Sequence, residues 1–217
     1  MDNSQNMECE YNIKDHMKFE IKSFLGRLFL ARYPKPTNEI KLLNLGCGKE
    51  KQEGWINADF FRFRKKNRPD WMLDLRFPLR CQDNYWDGIF SEHTLEHLYP
   101  RHVEMLLSEL YRTLKPKCWI RLSVPDLEKY VDFYTGKQVH EEFIKKWGYP
   151  GYAIRRVSQD FLHVSLWDAF MLKSVLENAG FVKIQKTSYY QGSEPRLFIE
   201  QKDREYESLY MEAQKPL

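Results

Sequence analysis

Two short stretches decide the fold: Leu43-Asn44-Leu45-Gly46-Cys47-Gly48 and Gly54-Trp55-Ile56-Asn57-Ala58-Asp59. The first is a mostly apolar run that ends in a glycine turn, and the second is a short strand that ends in an acid. A glycine turn lets a backbone approach a ligand closely, because a Cβ atom there would clash. An acid at the end of the following strand accepts hydrogen bonds from both hydroxyls of a ribose. Together the two stretches predict a site for a ligand that contains adenosine.

The residues on either side alternate between strand and helix patterns. Apolar periodicity predicts helices over residues 17–30 and 103–114, and a capping box from Ser165 to Asp168 predicts a helix that ends at Ala179. The last strand has two candidates, residues 196–200 and residues 207–213, and the alternation of apolar residues favours the second. The other predicted strands are 40–45, 55–59, 71–74, 86–91, 119–124 and 181–187. This alternation predicts a parallel sheet covered on both faces, with its ligand at the carboxyl ends of the strands.

Composition sets the class of protein. The chain has 217 residues, the size of one domain with additions. Its net charge of 34 − 31 = +3 is too small to predict nucleic-acid binding. No apolar run approaches the ~20 residues of a membrane span, and the acidic start of the chain argues against a secretory signal peptide. The four cysteines are too far apart for a zinc module or a disulfide scaffold. We therefore expect a cytoplasmic enzyme or binding domain.

The glycine turn departs from the dinucleotide-binding pattern in two ways. That pattern places a third glycine near position 51, where this chain has Lys51. It also places the acid roughly 20 residues further on, whereas Asp59 follows Gly48 by only 11 residues. Such a short connection leaves room for a turn or two of helix, which is too little to hold a pyrophosphate. A ligand with adenosine and no phosphate fits better.

These stretches resemble the class I S-adenosylmethionine-dependent methyltransferases, over residues 41–213. Within that class the chain is similar to small predicted bacterial and phage methyltransferases associated with surface-saccharide synthesis. The resemblance implies an α/β, Rossmann-like, doubly wound sheet of seven strands, mostly parallel, whose last strand is antiparallel. The matching stretches are, in chain order, Leu43–Gly48, Gly54–Asp59, Ser91–Leu98, Leu114–Pro116, Leu122–Asp126, Ala179–Phe181 and Ser208–Pro216.

The resemblance also implies roles for residues at the strand ends. The Gly46-Cys47-Gly48 turn would hold the methionine end of S-adenosylmethionine, and Asp59 would hold its ribose. Asp74 and Leu75 would flank the adenine. Many relatives carry Asp or Glu in place of Asn44, facing the amino group of the cofactor; Asn44 still accepts a hydrogen bond, at reduced electrostatic strength.

Histidines follow the fourth predicted strand. His93, His97 and His102 lie within ten residues of one another, and histidine suits a base that takes the proton of a hydroxyl acceptor near neutral pH. We expect His93 or His97 to be that base, with Glu92 or Glu96 orienting the ring, and His163 is a second candidate. The alternative is that Glu92 and His93 only shape the cofactor pocket while His97 packs against its neighbours.

A rival interpretation comes from the same residues. His93, Glu96 and His97 match H-x-x-E-H, the inverted zinc-peptidase motif. That chemistry requires both histidines on one face of a sustained helix together with a third ligand, and Pro100 interrupts the helix almost at once. We therefore assign no metal site from the sequence and rank a zinc hydrolase last.

Residues 127–164 are predicted to form a helical lid insertion over the acceptor. Between Leu127 and Trp167 nine of 41 residues are aromatic, a share well above the 15% of the whole chain. These rings either stack on a sugar or flat acceptor, or pack the insertion onto the sheet. Asp126 and Tyr130 are candidate acceptor contacts, and Arg155 with Arg156 is a candidate pair for a phosphate or carboxylate. Residues 1–39 form the predicted helical extension and residues 40–217 the methyltransferase domain.

The sequence thus predicts an S-adenosylmethionine-dependent methyltransferase that acts on a hydroxyl of a saccharide or other small polar acceptor. The alternative is a partner subunit that binds the cofactor without turnover. Nucleic acid is disfavoured as a partner because the basic residues cluster only at Arg62, Arg64, Lys65, Lys66 and Arg68.

Overall fold

The computed structural model describes residues 13–30, 34–36, 38–61 and 68–217. Its strands are β1 (Leu42–Leu45), β2 (Ile56–Asp59), β3 (Trp71–Met72), β4 (Gly88–Glu92), β5 (Trp119–Pro125), β6 (Val182–Thr187) and β7 (Ser208–Gln214). Its α-helices are α1 (Ile13–Phe29), α2 (Pro100–Thr113), α3 (Leu127–Tyr134), α4 (Glu141–Trp147), α5 (Pro150–Gln159) and α6 (Ala169–Asn178). Short 3₁₀ helices span Leu95–His97, Asp160–Leu162, Pro195–Leu197 and Lys202–Arg204.

All seven strands form one sheet in the order β3-β2-β1-β4-β5-β7-β6. The pairs from β3 to β5 are parallel, and β7 runs antiparallel to both β5 and β6. This arrangement confirms the predicted fold class, including the antiparallel last strand. The carboxyl ends of β1, β2 and β4 therefore meet at one edge of the sheet, and that edge positions the candidate site.

The core is formed by the inner strands of the sheet and by one apolar stripe of helix α2. The inner strands are buried on both faces, and all five residues of β4 are buried, as expected for a sheet covered on both sides. Helix α2 buries one stripe at helical spacing, formed by Val103, Leu106, Leu107 and Leu110. These side chains join one apolar cluster with β1, β4 and β5.

Several predicted boundaries change in the structure. Residues 196–200 contain no strand, and β7 takes the position predicted for residues 207–213. The side chain of Asp168, and not that of Ser165, caps α6 by accepting a hydrogen bond of 2.7 Å from the Met171 backbone N–H. Strand β3 ends at Met72, two residues before the predicted end. No helix lies between β1 and β2, in keeping with the short connection.

Helix α1 contacts the domain through its small residues. Ser23 and Gly26 are buried, and a Cβ atom on Gly26 would overlap the ring of Phe61. The predicted apolar face of this helix is largely exposed, with Phe24 60% and Leu28 60% exposed. The helix lies beside the residues that follow β2 and β3, where it contacts Phe60, Asp74 and Arg76, and its predicted apolar stripe does not supply the contact. The boundary at residue 39 stays a prediction.

The structure bears on two predictions made from composition, which concern membrane-spanning segments and the basic cluster. Among the helices in the described ranges, none combines the length and apolarity needed to cross a bilayer. Four of the five residues in the basic cluster, from Arg62 to Lys66, lie outside the described residues, and Arg68 lies inside them.

A buried charge cluster joins β5 to β7. Arg121 on β5 is fully buried and forms ion pairs with Glu200 and with Glu212 on β7, whose side chains are also fully buried. The remaining N–H groups of the guanidinium donate to oxygens of Thr187, Ser188 and Gln191. Because every donor has an acceptor, the arginine offsets two carboxylates that water does not reach.

Removing this arginine tests its role. We expect Arg121→Ala to lower the free energy of unfolding by about 3–5 kcal/mol, since two buried carboxylates lose their counter-charge. Urea denaturation at neutral pH measures the loss. The matched control is Arg196→Ala, which removes an exposed ion pair with Glu194 and costs less than about 1 kcal/mol. Equal losses in both variants would contradict the assignment.

Candidate active site

The glycine turn after β1 has the predicted open geometry. Gly46 and Gly48 have φ angles of +73° and +56°, in the left-handed region that favours glycine. The two turn residues Gly46 and Cys47 donate their backbone N–H groups to the carbonyl of Ala58, at 2.8 and 3.0 Å. A Cβ on Gly46 would overlap Thr94, whereas a Cβ on Gly48 would meet no atom within 4 Å. The Ala58 carbonyl thus holds the turn on one side, and the space that a Cβ atom of Gly48 would occupy is open.

Asp59 lies directly beside this turn. Its carboxylate accepts hydrogen bonds from the backbone N–H of Gly48, at 2.7 Å, and from that of Phe60, at 2.5 Å. The structure therefore brings together the turn and the acid that the sequence placed in one site.

Asn44 has a supporting position. It is 5% exposed, and its amide nitrogen donates to the Glu50 carbonyl at 2.9 Å and to the Asn57 side chain at 3.1 Å. These bonds fasten the loop that follows the glycine turn to β2. Its predicted contact with the cofactor stays a prediction.

Asp74 is covered by helix α1. Its carboxylate accepts hydrogen bonds from Ser23 at 2.5 Å and from several N–H groups of Arg76, which also pairs with Glu20. Burial raises the pKa of Asp74, but the hydrogen bonds from Arg76 and Ser23 lower it overall. Because each oxygen already accepts at least two hydrogen bonds, this placement does not favour the predicted contact with an adenine amino group. Leu75 packs, partly buried, against the main core.

The carboxylate of Glu92 contacts the segment that precedes β7. Its carboxylate accepts from the backbone N–H of Gln201 at 3.2 Å and lies 3.8 Å from Arg204. Burial raises its pKa to about 7, and the Arg204 charge opposes the rise. Its predicted role in the cofactor pocket is not supported by these contacts.

The raised pKa of Glu92 gives a stability that depends on pH. Between pH 4.5 and about 7 the folded protein binds a proton that the unfolded chain releases, so the free energy of unfolding falls as the pH rises. Glu92→Gln removes this loss, and we expect its stability relative to the native chain to grow by up to about 3 kcal/mol from pH 4 to pH 8. Urea denaturation across this range measures the difference. The exposed control Glu141→Gln should keep a constant offset, and a constant offset for Glu92→Gln would contradict the assignment.

Three of the predicted histidines surround one buried carboxylate. The backbone turns at His93, whose φ is +47°, into the short helix Leu95–His97. Glu96 in that helix is 1% exposed. Its Oε1 lies 3.7 Å from Nδ1 of His93 and 3.9 Å from Nε2 of His163. The rings of His97 and His163 are 4.9 Å apart at 71°. We call His93, Glu96, His97 and His163 the histidine cluster.

Backbone contacts bring His163 to this position. The carbonyl of Glu96 accepts hydrogen bonds from the backbone N–H groups of Val164 and Ser165, at 2.8 and 3.1 Å. Before them, Phe161 and Leu162 have φ angles of +60° and +65°, an uncommon conformation for such side chains. The return of the lid is thus tied to the turn after β4.

The protonation of the cluster follows from its burial. Burial lowers the pKa values of His93, His97 and His163 and raises that of Glu96 to about 8. Thr94, which follows His93 in the chain, donates to the carbonyl of Leu45 at 3.4 Å, so the cluster lies beside the glycine turn that follows Leu45. At neutral pH the three imidazoles are neutral and able to accept a proton.

The lid is helical, as predicted, and has a core of its own. Tyr130, Phe143 and Trp147 are buried inside it. Tyr130 is 1% exposed and its hydroxyl donates to Glu207, and its predicted contact with the acceptor stays a prediction. Asp126 is likewise buried and caps α3 by accepting from the Glu128 backbone N–H.

The other lid residues remain on the surface. Arg155 is exposed with its guanidinium over the Tyr152 ring, at 5.8 Å. The exposed aromatics of the lid are Tyr134, Tyr149, Tyr152 and Phe161. Some of the aromatic rings therefore pack inside the lid and others face solvent, and their predicted stacking on an acceptor stays a prediction.

Two features of the site were not predicted from the sequence. The sequence assigned Glu96 only a ring-orienting role, although it lies between His93 and His163. Ser208 on β7 lies 2.8 Å from Nε2 of His93, and no local pattern indicates this contact because it depends on the insertion of β7 beside β5.

Together, the sheet order and the glycine turn with its acid define the class of Rossmann-like methyltransferases. Residues 14–186, more than half of the chain, match the family described as "Methyltransferase domain". The chain belongs to this family, and the prediction of S-adenosylmethionine as its cofactor is confirmed. None of the curated proteins gives a significant match.

Solved structures support the same fold. An S-adenosylmethionine-dependent methyltransferase from Archaeoglobus fulgidus is 17% identical, with a TM-score of 0.51 over 95% of this chain and 100% of that chain. The methyltransferase SibL, in its apo form, is 14% identical with a TM-score of 0.50, over 94% of this chain and 58% of that chain. The CMeT domain of the citrinin polyketide synthase is 13% identical with a TM-score of 0.50, over 92% and 52%.

Proposed function

We propose that the protein transfers a methyl group from S-adenosylmethionine to a hydroxyl of a saccharide or other small polar acceptor. The observation that carries this proposal is the histidine cluster, a group of neutral imidazoles next to the glycine turn. A hydroxyl oxygen is a weak nucleophile until its proton leaves, so a nearby base favours an oxygen acceptor.

The residues at the strand ends fit the cofactor. The open space above Gly48 accommodates a ligand that contacts the backbone, and the carboxylate of Asp59 supplies the acceptor that ribose hydroxyls need. When bound, S-adenosylmethionine supplies an activated methyl group on a sulfonium. The main tasks of the chain are then to orient the acceptor oxygen and to receive its proton.

His97 is the member of the cluster best placed to receive that proton. It is the exposed member, whereas His163 is 8% exposed at its side chain and His93 12%. Partial desolvation by the surrounding residues and the neighbouring His163 lower the pKa of His97, which keeps it neutral near pH 7. A neutral, reachable imidazole has both properties of a general base.

The lid supports a saccharide or another flat polar acceptor. The exposed ring of Phe161 lies 5.8 Å from that of His163, at the border of the cluster. Apolar ring faces stack against sugars and exclude water from the reacting atoms. The exposed Arg155 adds a positive charge for an acceptor that carries a phosphate or carboxylate.

The cofactor assignment is tested with S-adenosylhomocysteine, the product form of the donor. At 100 times its dissociation constant this ligand adds about 2.7 kcal/mol of stability, which raises Tm by roughly 5–11 °C at this size. We expect Asp59→Ala to abolish the shift, because the ribose loses its acceptor. Asp83→Ala, on the surface, is the control and should keep the shift. An undiminished shift in Asp59→Ala would exclude this role.

The role of His97 is tested by turnover. We expect His97→Ala to slow methyl transfer by roughly 10²–10⁴-fold and to leave the thermal shift with S-adenosylhomocysteine unchanged. Release of S-adenosylhomocysteine in the presence of a panel of saccharides measures the rate. His140→Ala, at the exposed start of α4, should retain the native rate. Loss of the thermal shift in His97→Ala would make the residue part of the cofactor pocket instead.

A further inference from the structure

We propose that Glu96, His97 and His163 form a binding site for a divalent transition-metal ion, with zinc as the ion that best fits the donor set. One ligand atom from each residue lies within 4.8 Å of the others. Two imidazole nitrogens and one carboxylate oxygen suit zinc and its neighbours in the first transition row, and they do not suit magnesium or calcium, which prefer oxygen alone.

The carboxylate of Glu96 points independently to a cation. The residue is 1% exposed, and neither oxygen has a hydrogen-bond partner among the residues that the structure describes. The nearest ring nitrogens, at 3.7 and 3.9 Å, are too far for hydrogen bonds. A buried carboxyl group without a hydrogen-bond partner destabilises the protein. An ion between these groups removes that cost.

The ring of His163 is oriented as a metal ligand. Nδ1 of His163 lies 2.8 Å from the carbonyl oxygen of Val157, so this nitrogen carries the proton and Nε2 keeps its lone pair on the side of Glu96. The ring of His97 lies beside that of His163, with the two ring centroids 4.9 Å apart. A ring N–H donated to a backbone carbonyl is the usual arrangement behind a metal-bound histidine, because it fixes the tautomer.

The fit requires a small contraction. Ligand atoms about 2.0–2.2 Å from a tetrahedral zinc ion lie about 3.4 Å from one another, so the side chains must close by at most about 1.4 Å from the observed 4.8 Å limit. His97 is exposed and has room to turn. Glu96 and His163 are held by the backbone bonds from Val164 and Ser165 to the Glu96 carbonyl. Three protein ligands leave the fourth position open on the exposed side, for water or another oxygen ligand.

This site differs from the H-x-x-E-H arrangement. His93 lies outside the helix that holds Glu96 and His97, and that helix has only three residues. Nε2 of His93 bonds to Ser208, and His163 from the end of the lid provides the third ligand instead. One consequence rests on the proposed function: a bound ion occupies the lone pair with which His97 would accept a proton, so excess zinc should slow methyl transfer.

Zinc binding to the full chain, with neither cofactor nor acceptor present, tests the proposal. We expect equilibrium dialysis to show one tightly bound zinc ion per chain. His97→Gln, at the exposed ligand, and Glu96→Gln should each weaken binding by at least about tenfold, since each removes a ligand. His140→Gln, a solvent-facing histidine elsewhere, should bind zinc like the native chain.

Three results would overturn the metal site: no zinc on the native chain, native binding in His97→Gln, or an equal loss in His140→Gln. If Glu96→Gln does not fold, the His97→Gln result decides alone, because an exposed side chain contributes little to folding. The thermal shift with S-adenosylhomocysteine is measured on the same samples. A thermal shift without zinc binding rejects the metal site and leaves the proposed function intact. Zinc binding without a thermal shift rejects the proposed function and supports the metal site.

Discussion

The site depends on two hydrogen bonds that the backbone carbonyl of Glu96 accepts from Val164 and Ser165. They join the turn after β4 to the segment where the lid returns to the sheet. Without this junction His163 would have no fixed position beside Glu96, because the other anchors of the lid, such as the bonds of Tyr130 and Lys146 to Glu207, lie earlier in the lid. Because backbone atoms form the junction, it holds whatever the protonation of the side chains that it brings together. The chemistry of the cluster is thus built on a support that does not titrate.

The buried acidic side chains of this molecule have two contrasting environments. Glu200 and Glu212 lie against Arg121, whose N–H groups all have acceptors, and the result is a closed and rigid unit. Glu96 is just as buried but has no hydrogen-bond partner among the described residues. A buried carboxylate that is paired with an arginine serves the stability of a fold, whereas a buried carboxyl group with neither oxygen hydrogen-bonded, next to a strand-edge site, indicates a task that requires a further partner.

The sequence predicted what local pattern determines. The apolar periodicity of α2 and the proximity of Gly48 and Asp59 follow from spacing and from the rule that parallel strands end at one edge. Contacts that depend on distant segments were not predictable. The aromatic ring of Tyr130 is of a type that stacks on ligands, and only the packing of the lid shows that it lies in the core of the lid. Helix α1 has an amphipathic pattern, yet the close approach allowed by Gly26 decided which face contacts the domain.

The position of β7 has a consequence for how the chain is made. This strand comes last in the chain among the described elements, yet it lies between β5 and β6 in the sheet. During synthesis β5 and β6 therefore both leave the ribosome before β7, and each has an unpaired edge on the side that β7 later occupies. At that stage Arg121 lacks one of its two ion-pair partners, the carboxylate of Glu212. Open strand edges attract other chains, and partly folded domains are most exposed to aggregation at that stage. The sheet therefore passes through a vulnerable interval that ends only when residues 208–214 insert.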